Sequence, residues 1–256
     1  MPLDDFIIQV YCLVYDLFEE TTKDVNIRQR GPASKLTDVE VITMEIVGES
    51  LKLNGDSNIW AYFKQHWFSW FPRMGDRTAF VRQSANLWII KQMIQKKLSE
   101  KFEDDLSLFD GFPIPTCHIK RYKRSKNLKE AGAVGYCASK DEYYFGFTGN
   151  LLISGTGGIK GFALTPANID ERDVLPEIVG STKGMLLADK GLIKPQLTQE
   201  LLKHGINLQT PLRRNMADDR PKWFVQQIVS KRRLVETVIG QLVDRFNIQA
   251  VRAQDV

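Results

Sequence analysis

Ser107-Leu108-Phe109-Asp110-Gly111-Phe112-Pro113-Ile114-Pro115 is the stretch on which the reading of the fold turns. Residues 106–109 read as a short apolar strand that ends on a carboxylate and breaks at once into a Gly/Pro loop. A strand holds its last side chain rigidly, and a glycine with two prolines is expected to stop the ladder beyond it. Asp110 is therefore expected at a sheet end. Alone, such an aspartate is most simply a turn former, so its meaning depends on partners. Gly184-Met185-Leu186-Leu187-Ala188-Asp189-Lys190-Gly191 repeats the design: a buried strand, a terminal Asp, then Gly. Two strand-end carboxylates in one sheet are harder to assign to chance than one.

Composition sets the bounds within which the pair acts. The 256 residues suffice for one large domain or two ordinary ones, and 43% hydrophobic residues can build their cores. A net charge of +4 permits a polyanionic partner without requiring one, so where the charges lie matters more than their sum. Three scattered cysteines, Cys12, Cys117 and Cys137, contain no CxxC. They argue against a disulfide framework and a zinc site, and they suit a reducing cytoplasm. Asp4 and Asp5 replace a basic leader, and no apolar run approaches ~18 residues, so neither export nor a membrane span is expected.

Upstream of Asp110 the chain reads as helical. Phe6, Ile7, Val10, Tyr11, Val14, Leu17 and Phe18 recur at helical spacing over residues 5–20. A charged polar loop follows. Thr37 with Glu40 three residues later is a capping-box signature opening a second helix to about residue 53. Seven aromatics between Trp60 and Phe71 suit either a base-stacking surface or the core of a small helical domain, and the core is the simpler reading. A fourth helix is expected over residues 78–102, with Phe80, Leu87, Ile90, Ile94 and Leu98 inward. Residues 1–103 thus form an all-helical N-terminal domain, either a DNA-end binder or a plain packing domain.

Downstream, over residues 104–256, the pattern changes to that of an α/β domain. After the Asp110 strand comes a basic segment, Lys120, Arg121, Lys123, Arg124, Lys126 and Lys129 around Tyr122. Six cations in ten residues suit a phosphate backbone as well as they suit a solvated loop. Residues 143–147 and 151–154 read as two strands joined by a Thr148-Gly149-Asn150 turn, with a further strand at 159–164. Then come a helix at 171–179, the Asp189 strand, a helix at 197–204 and a strand at 206–210 leading to Arg213 and Arg214. Asp170, Glu171 and Asp173 read most simply as first-turn helix acids. A last helix over residues 225–246 carries the stripe Val235, Val238, Ile239, Leu242 and Phe246. Glu236 borders that stripe, Arg232 precedes it by four residues, and Lys231 and Arg233 flank Arg232. The pair Arg232 and Glu236 reads either as a surface ion pair or as part of a site in which Glu236 reaches Asp110 and Asp189.

Taken together, this order of elements resembles an RNase H-like core, a mixed sheet flanked by helices. Phe109 to Pro115, Phe162-Ala163-Leu164-Thr165-Pro166, Asp189-Lys190-Gly191 and Arg232-Arg233-Leu234-Val235-Glu236-Thr237 resemble phrases of bacterial insertion-sequence transposases of the DDE type. The likeness runs from about residue 106 to the C-terminus. Around the last acid such transposases often carry Tyr, Arg, Glu and Lys; here the Tyr and Lys positions are Val229 and Val243. The resemblance implies a DNA transposase in which Asp110, Asp189 and Glu236 hold two Mg2+ ions, or Mn2+ in their place. Asp110 would bridge both ions, and two ions stabilise the attacking and leaving oxygens of an in-line displacement. Magnesium takes hard oxygen ligands, so carboxylates suffice without His or Cys. Without metal, the acids would repel and raise one another's pKa.

The resemblance further implies double-stranded DNA partners, both element ends and target, met by Lys120, Arg121, Lys123, Arg124, Lys126, Arg213, Arg214, Lys231, Arg232 and Arg233. It also implies a homodimer or larger assembly on DNA and a bacterial, nucleoid-associated location. The family pattern leads one to expect another helix after residue 256, hence a shortened C-terminus. Two rival readings stay open: a catalytically inactive DNA-binding remnant, and a stand-alone nuclease of the same fold.

Overall fold

The computed structural model describes residues 1–24, 33–102, 104–126, 128–138, 140–180 and 182–251. The charged loop expected after the first helix lies largely outside the described residues, as do residue 103 and the C-terminal five. The chain divides into two compact units, Met1–Lys101 and Phe102–Val256.

The first unit has five helices among its described residues: α1 (Leu3–Thr22), α2 (Asp38–Ser50), α3 (Asp56–His66), α4 (Arg77–Asn86) and α5 (Trp88–Ser99). The capping box forms as expected. The Glu40 amide donates to Thr37 Oγ1 at 3.2 Å, and the Thr37 amide donates to Glu40 Oε2 at 2.6 Å, which satisfies two backbone donors at the helix start. Ile7, Val14, Leu17, Val41, Met44, Phe63, Phe80, Ile90 and Ile94 close one core. The aromatic run divides. Phe63 and Phe71 are buried, Trp60, Tyr62 and Trp67 pack against them, and Phe68 and Trp70 remain exposed. The single helix expected over 78–102 is two helices. They break at Leu87, whose amide turns back to the Ser84 carbonyl at 3.1 Å and whose side chain is buried at the corner.

In the second unit the described strands are β1 (Leu106–His118), β2 (Ala133–Cys137), β3 (Glu142–Ser154), β4 (Ile159–Pro166), β5 (Gly184–Leu187) and β6 (Ile206–Gln209). With them are α6 (Glu171–Ile178), α7 (Pro195–Lys203) and α8 (Lys222–Asp244). β3 pairs antiparallel with β1, β4 and β2, while β5 runs parallel to both β1 and β6. The order β4-β3-β1-β5-β6, with β2 added beside the start of β3, is an RNase H-like sheet.

Alternation along the central strands builds two cores, because successive side chains leave a strand on opposite faces. Phe109, Leu152 and Leu186 face α6 and α7, where Leu175, Leu197 and Leu201 cover them. Leu108, Leu151 and Leu187 face α8, where Ile228 and Val235 cover them. Fully burying a side chain of this size contributes roughly 1.5–3 kcal/mol.

Two expected strand ends are corrected. β1 does not stop at residue 109 but runs on through Asp110 and both prolines to His118. Beyond Leu108 it has β3 on one side only, and a proline, lacking an N–H, fits a strand whose other edge is open. β3 is one strand, with no turn at Thr148-Gly149-Asn150. Gly149 pairs with Phe112 across the ladder, and a Cβ there would lie 2.8 Å from the Phe112 ring. That glycine makes room for packing, not for a reversal.

Candidate active site

Asp110 stands where the parallel pairing ends. β5 leaves β1 after Leu108 opposite Leu187, so Asp110, two residues further along β1, and Asp189, two residues past the end of β5, stand where the two strands part. Asp110 lies two residues past Leu108, hence on the face covered by α8. Asp189 also opens a 3-10 turn, accepting from the Gly191 amide at 3.4 Å.

α8 brings the counter-charge. Arg232 lies four residues past buried Ile228 and three before buried Val235, so helix geometry carries its stem inward. Its guanidinium lies 3.1 Å from Asp189 Oδ1 and 3.8 Å from Asp110 Oδ2, and only 14% of its side chain is exposed. The surface pair with Glu236 does not form; the partly buried Asp110 and the half-exposed Asp189 carboxylates together offer the guanidinium a stronger field than one exposed acid does. Glu236, one turn further along α8, is exposed, and its charge still bears on Asp110.

Burial raises the Asp110 carboxyl to about 6. Arg232 and the Gly111 amide, which donates to Oδ1 at 3.0 Å, oppose that rise, while the charges of Asp189 and Glu236 add to it. A residue read from the sequence as an ordinary helix-start acid joins them. Glu171, the first residue of α6, has its carboxyl raised to about 7, by burial first and then by Asp110, Asp189 and Asp170. Nothing in the spacing of Asp170, Glu171 and Asp173 marks which of them turns inward. The usable signal was Gly111 after Asp110, a missing side chain where a neighbour needed room.

The cationic residues do not form one surface. Lys120, Arg121, Lys123, Arg124 and Lys126 are exposed between β1 and β2, roughly 25 Å beyond Asp110 at ~3.3 Å per strand residue. Tyr122 within that segment stacks on Phe145, with ring centroids 5.7 Å apart, and so anchors the loop. Arg213 and Arg214 are exposed just past β6, at the same sheet end as the acids. Lys231 and Arg233 point to solvent from α8, on either side of inward-facing Arg232.

Among the described residues no group of three or more His, Cys, Asp or Glu side chains is placed to hold a metal ion as they stand. Arg232 instead occupies the gap between Asp110 and Asp189. The donor set still suits a hard divalent cation: carboxylate oxygens on rigid elements, with a guanidinium already serving as their positive charge. No helix among the described residues is long and apolar enough to cross a membrane.

Carboxylates gathered at the end of an RNase H-like sheet point to a class, the polynucleotidyl transferases and nucleases. The family model described as a transposase DDE domain matches residues 100–256, well over half of the chain, and the chain belongs to that family. Its members generally work with divalent metal ions. A cryo-EM structure of a piggyBac transposase synaptic complex with hairpin DNA is similar at 10% identity and a TM-score of 0.38. The match covers 83% of this chain and 52% of that one, so this chain spans about half of that protein's length. No curated protein sequence matches this chain.

Proposed function

We propose that this chain is an insertion-sequence DNA transposase that cuts and joins phosphodiesters with divalent metal, using Asp110, Asp189 and Glu236. One observation carries the reading: Asp110 on β1 and Asp189 just past the end of β5, where the two parallel strands part, share the Arg232 guanidinium, and Glu236 follows Arg232 by one helical turn. The bound ions, Mg2+ or Mn2+, would polarise the scissile phosphate and lower the pKa of the attacking water or 3'-hydroxyl. The rest falls to the chain. Asp110 and Asp189 supply oxygen ligands held by the sheet, and Glu236 supplies one from the helix above it. Arg232 balances the acid pair, and a phosphodiester brought to those acids meets a group that recognises phosphate oxygens as readily as carboxylates. Arg213 and Arg214 steady a DNA backbone, and the loop from Lys120 to Lys126 engages it further out; the exposure of these cations supports the reading. The DNA substrates are the element ends and a target duplex, held by a dimer or larger assembly in the bacterial cytoplasm.

The test is cleavage and joining of DNA carrying the element's flanking ends, with Mg2+ or Mn2+, for the parent chain, Asp110→Asn and Glu236→Gln. The parent is expected to cut and join, while both variants bind DNA and do neither. Cutting without joining by the parent would make the chain a nuclease. Binding without cutting under either metal would make it a DNA-binding remnant.

A further inference from the structure

The three acids that open α6 have different surroundings. Asp170 caps the helix and holds Arg172 in a two-pronged exposed pair. Asp173 is 70% exposed and lies 4.0 Å from Lys194. Glu171 instead turns toward the sheet. Its carboxylate lies against β1 at Gly111, so close that a Cβ there would stand 2.1 Å from Oε1 and 2.7 Å from Cδ. No described residue donates it a hydrogen bond or pairs with its charge. An acid turned into protein without a partner is costly unless something else supplies the positive charge.

Two features of the surroundings identify that something as a cation. Past Leu108 the β1 edge has no strand on its β5 side among the described residues, so carboxylates from the α6 face and the α8 face can approach Asp110 and Gly111. The resident positive charge there, Arg232, is already shared between Asp110 and Asp189. Its buried Nε has no hydrogen-bond partner among the described residues. A guanidinium already shared by two carboxylates leaves the Glu171 carboxylate, lying against the neighbouring Gly111, without positive charge.

We propose that Glu171 is a further carboxylate of the divalent-cation site, meeting Asp110 and Asp189 across the open edge of β1; this rests on the transposase reading above. Glycine at 111 is then a requirement of the site, not of the strand. Its φ lies outside the left-handed region, and the absent Cβ is the space that the Glu171 carboxylate fills.

The measurement is Mn2+ binding by titration calorimetry to the full chain at pH 8, for the parent, Asp110→Asn, Glu171→Gln and Gly111→Ala, with thermal unfolding as the check on folding. Asp110→Asn and Glu171→Gln are each expected to weaken Mn2+ by about tenfold or more, the scale on which metal sites respond to loss of a supporting group. Gly111→Ala is expected to weaken it similarly while unfolding close to the parent temperature, because a carboxylate on a flexible stem can swing away from the added methyl. Should Glu171→Gln fail to fold, Gly111→Ala decides. If Asp110→Asn loses Mn2+ while Glu171→Gln and Gly111→Ala bind it like the parent, Glu171 is only a helix-start acid. The inference then falls and the transposase reading stands. If the parent binds no Mn2+, both fall together.

Discussion

Arg232 is a charged residue in a position that helix geometry reserves for an apolar one, between buried Ile228 and Val235. Two carboxylates that would otherwise repel each other make that position tolerable. Removing one partner of a largely buried ionic cluster leaves the others uncompensated. In metal-free buffer, Arg232→Ala is expected to cost roughly 2 kcal/mol, seen as a lower urea midpoint for the second unit. Added Mg2+ should return part of that loss by neutralising the same acids. An unchanged midpoint would mean the cluster contributes nothing to stability. The acids also set a pH dependence. Asp110 at about 6 and Glu171 at about 7 both lie above the ordinary carboxyl range, so the folded state favours their protonated forms. Their stabilising contribution is complete below about pH 4, the unfolded value, and is lost as pH rises through 6 and 7. In EDTA the second unit should therefore lose stability between pH 4 and pH 8, and Asp110→Asn together with Glu171→Gln should flatten that slope. A slope equally steep in the double variant would place its origin elsewhere.

Elements, more than residues, show what the chain's patterning could and could not convey. The strands carrying Asp110 and Asp189 were legible because a buried apolar run followed by Asp and Gly is a local signal. The further course of β1 was not legible, because whether a ladder can absorb Pro113 and Pro115 depends on which edge is open, and that is a property of the neighbouring strand. Gly149 misled for a related reason: in sequence a glycine between strands signals a turn, whereas here Phe112 on β1 needs the space. Glu236 and Arg232 were found on the right helix, but their pairing was not, since i, i+4 spacing gives proximity on a helix surface and says nothing of acids on the sheet beneath. α8 positions both side chains, and it is anchored by Ile228 and Val235. Ile228→Ala removes a side chain only 2% exposed and should cost about 3 kcal/mol. Loss of cleavage beyond what the folded fraction explains would show that the helix must be seated for Glu236 to act. Full activity per folded molecule would show that a loosened helix still serves.

At the scale of the whole molecule, a net charge of +4 says little, because the acids gather around one guanidinium, Arg232, while the exposed run from Lys120 to Lys126 stands away from them. The exposed run from Lys120 to Lys126 extends from the sheet on the long β1–β3 pair, with Tyr122 fastened to Phe145. That arrangement suits a chain that holds a polyanion by its backbone at one place and does chemistry on it at another. Each phosphate neutralised releases counterions, so the logarithm of affinity falls with the logarithm of salt by about 0.9 per contact. Replacing Lys120, Arg121, Lys123, Arg124 and Lys126 together by Gln should therefore weaken duplex binding and lower that slope by up to roughly 4.5, independent of sequence. Asp110→Asn, whose carboxylate touches no phosphate until metal is present, should leave the slope in EDTA unchanged. Fluorescence anisotropy across a salt series distinguishes the cases: a slope unaltered by the five replacements would make this loop a solvated surface and leave Arg213, Arg214, Lys231 and Arg233 to carry the DNA.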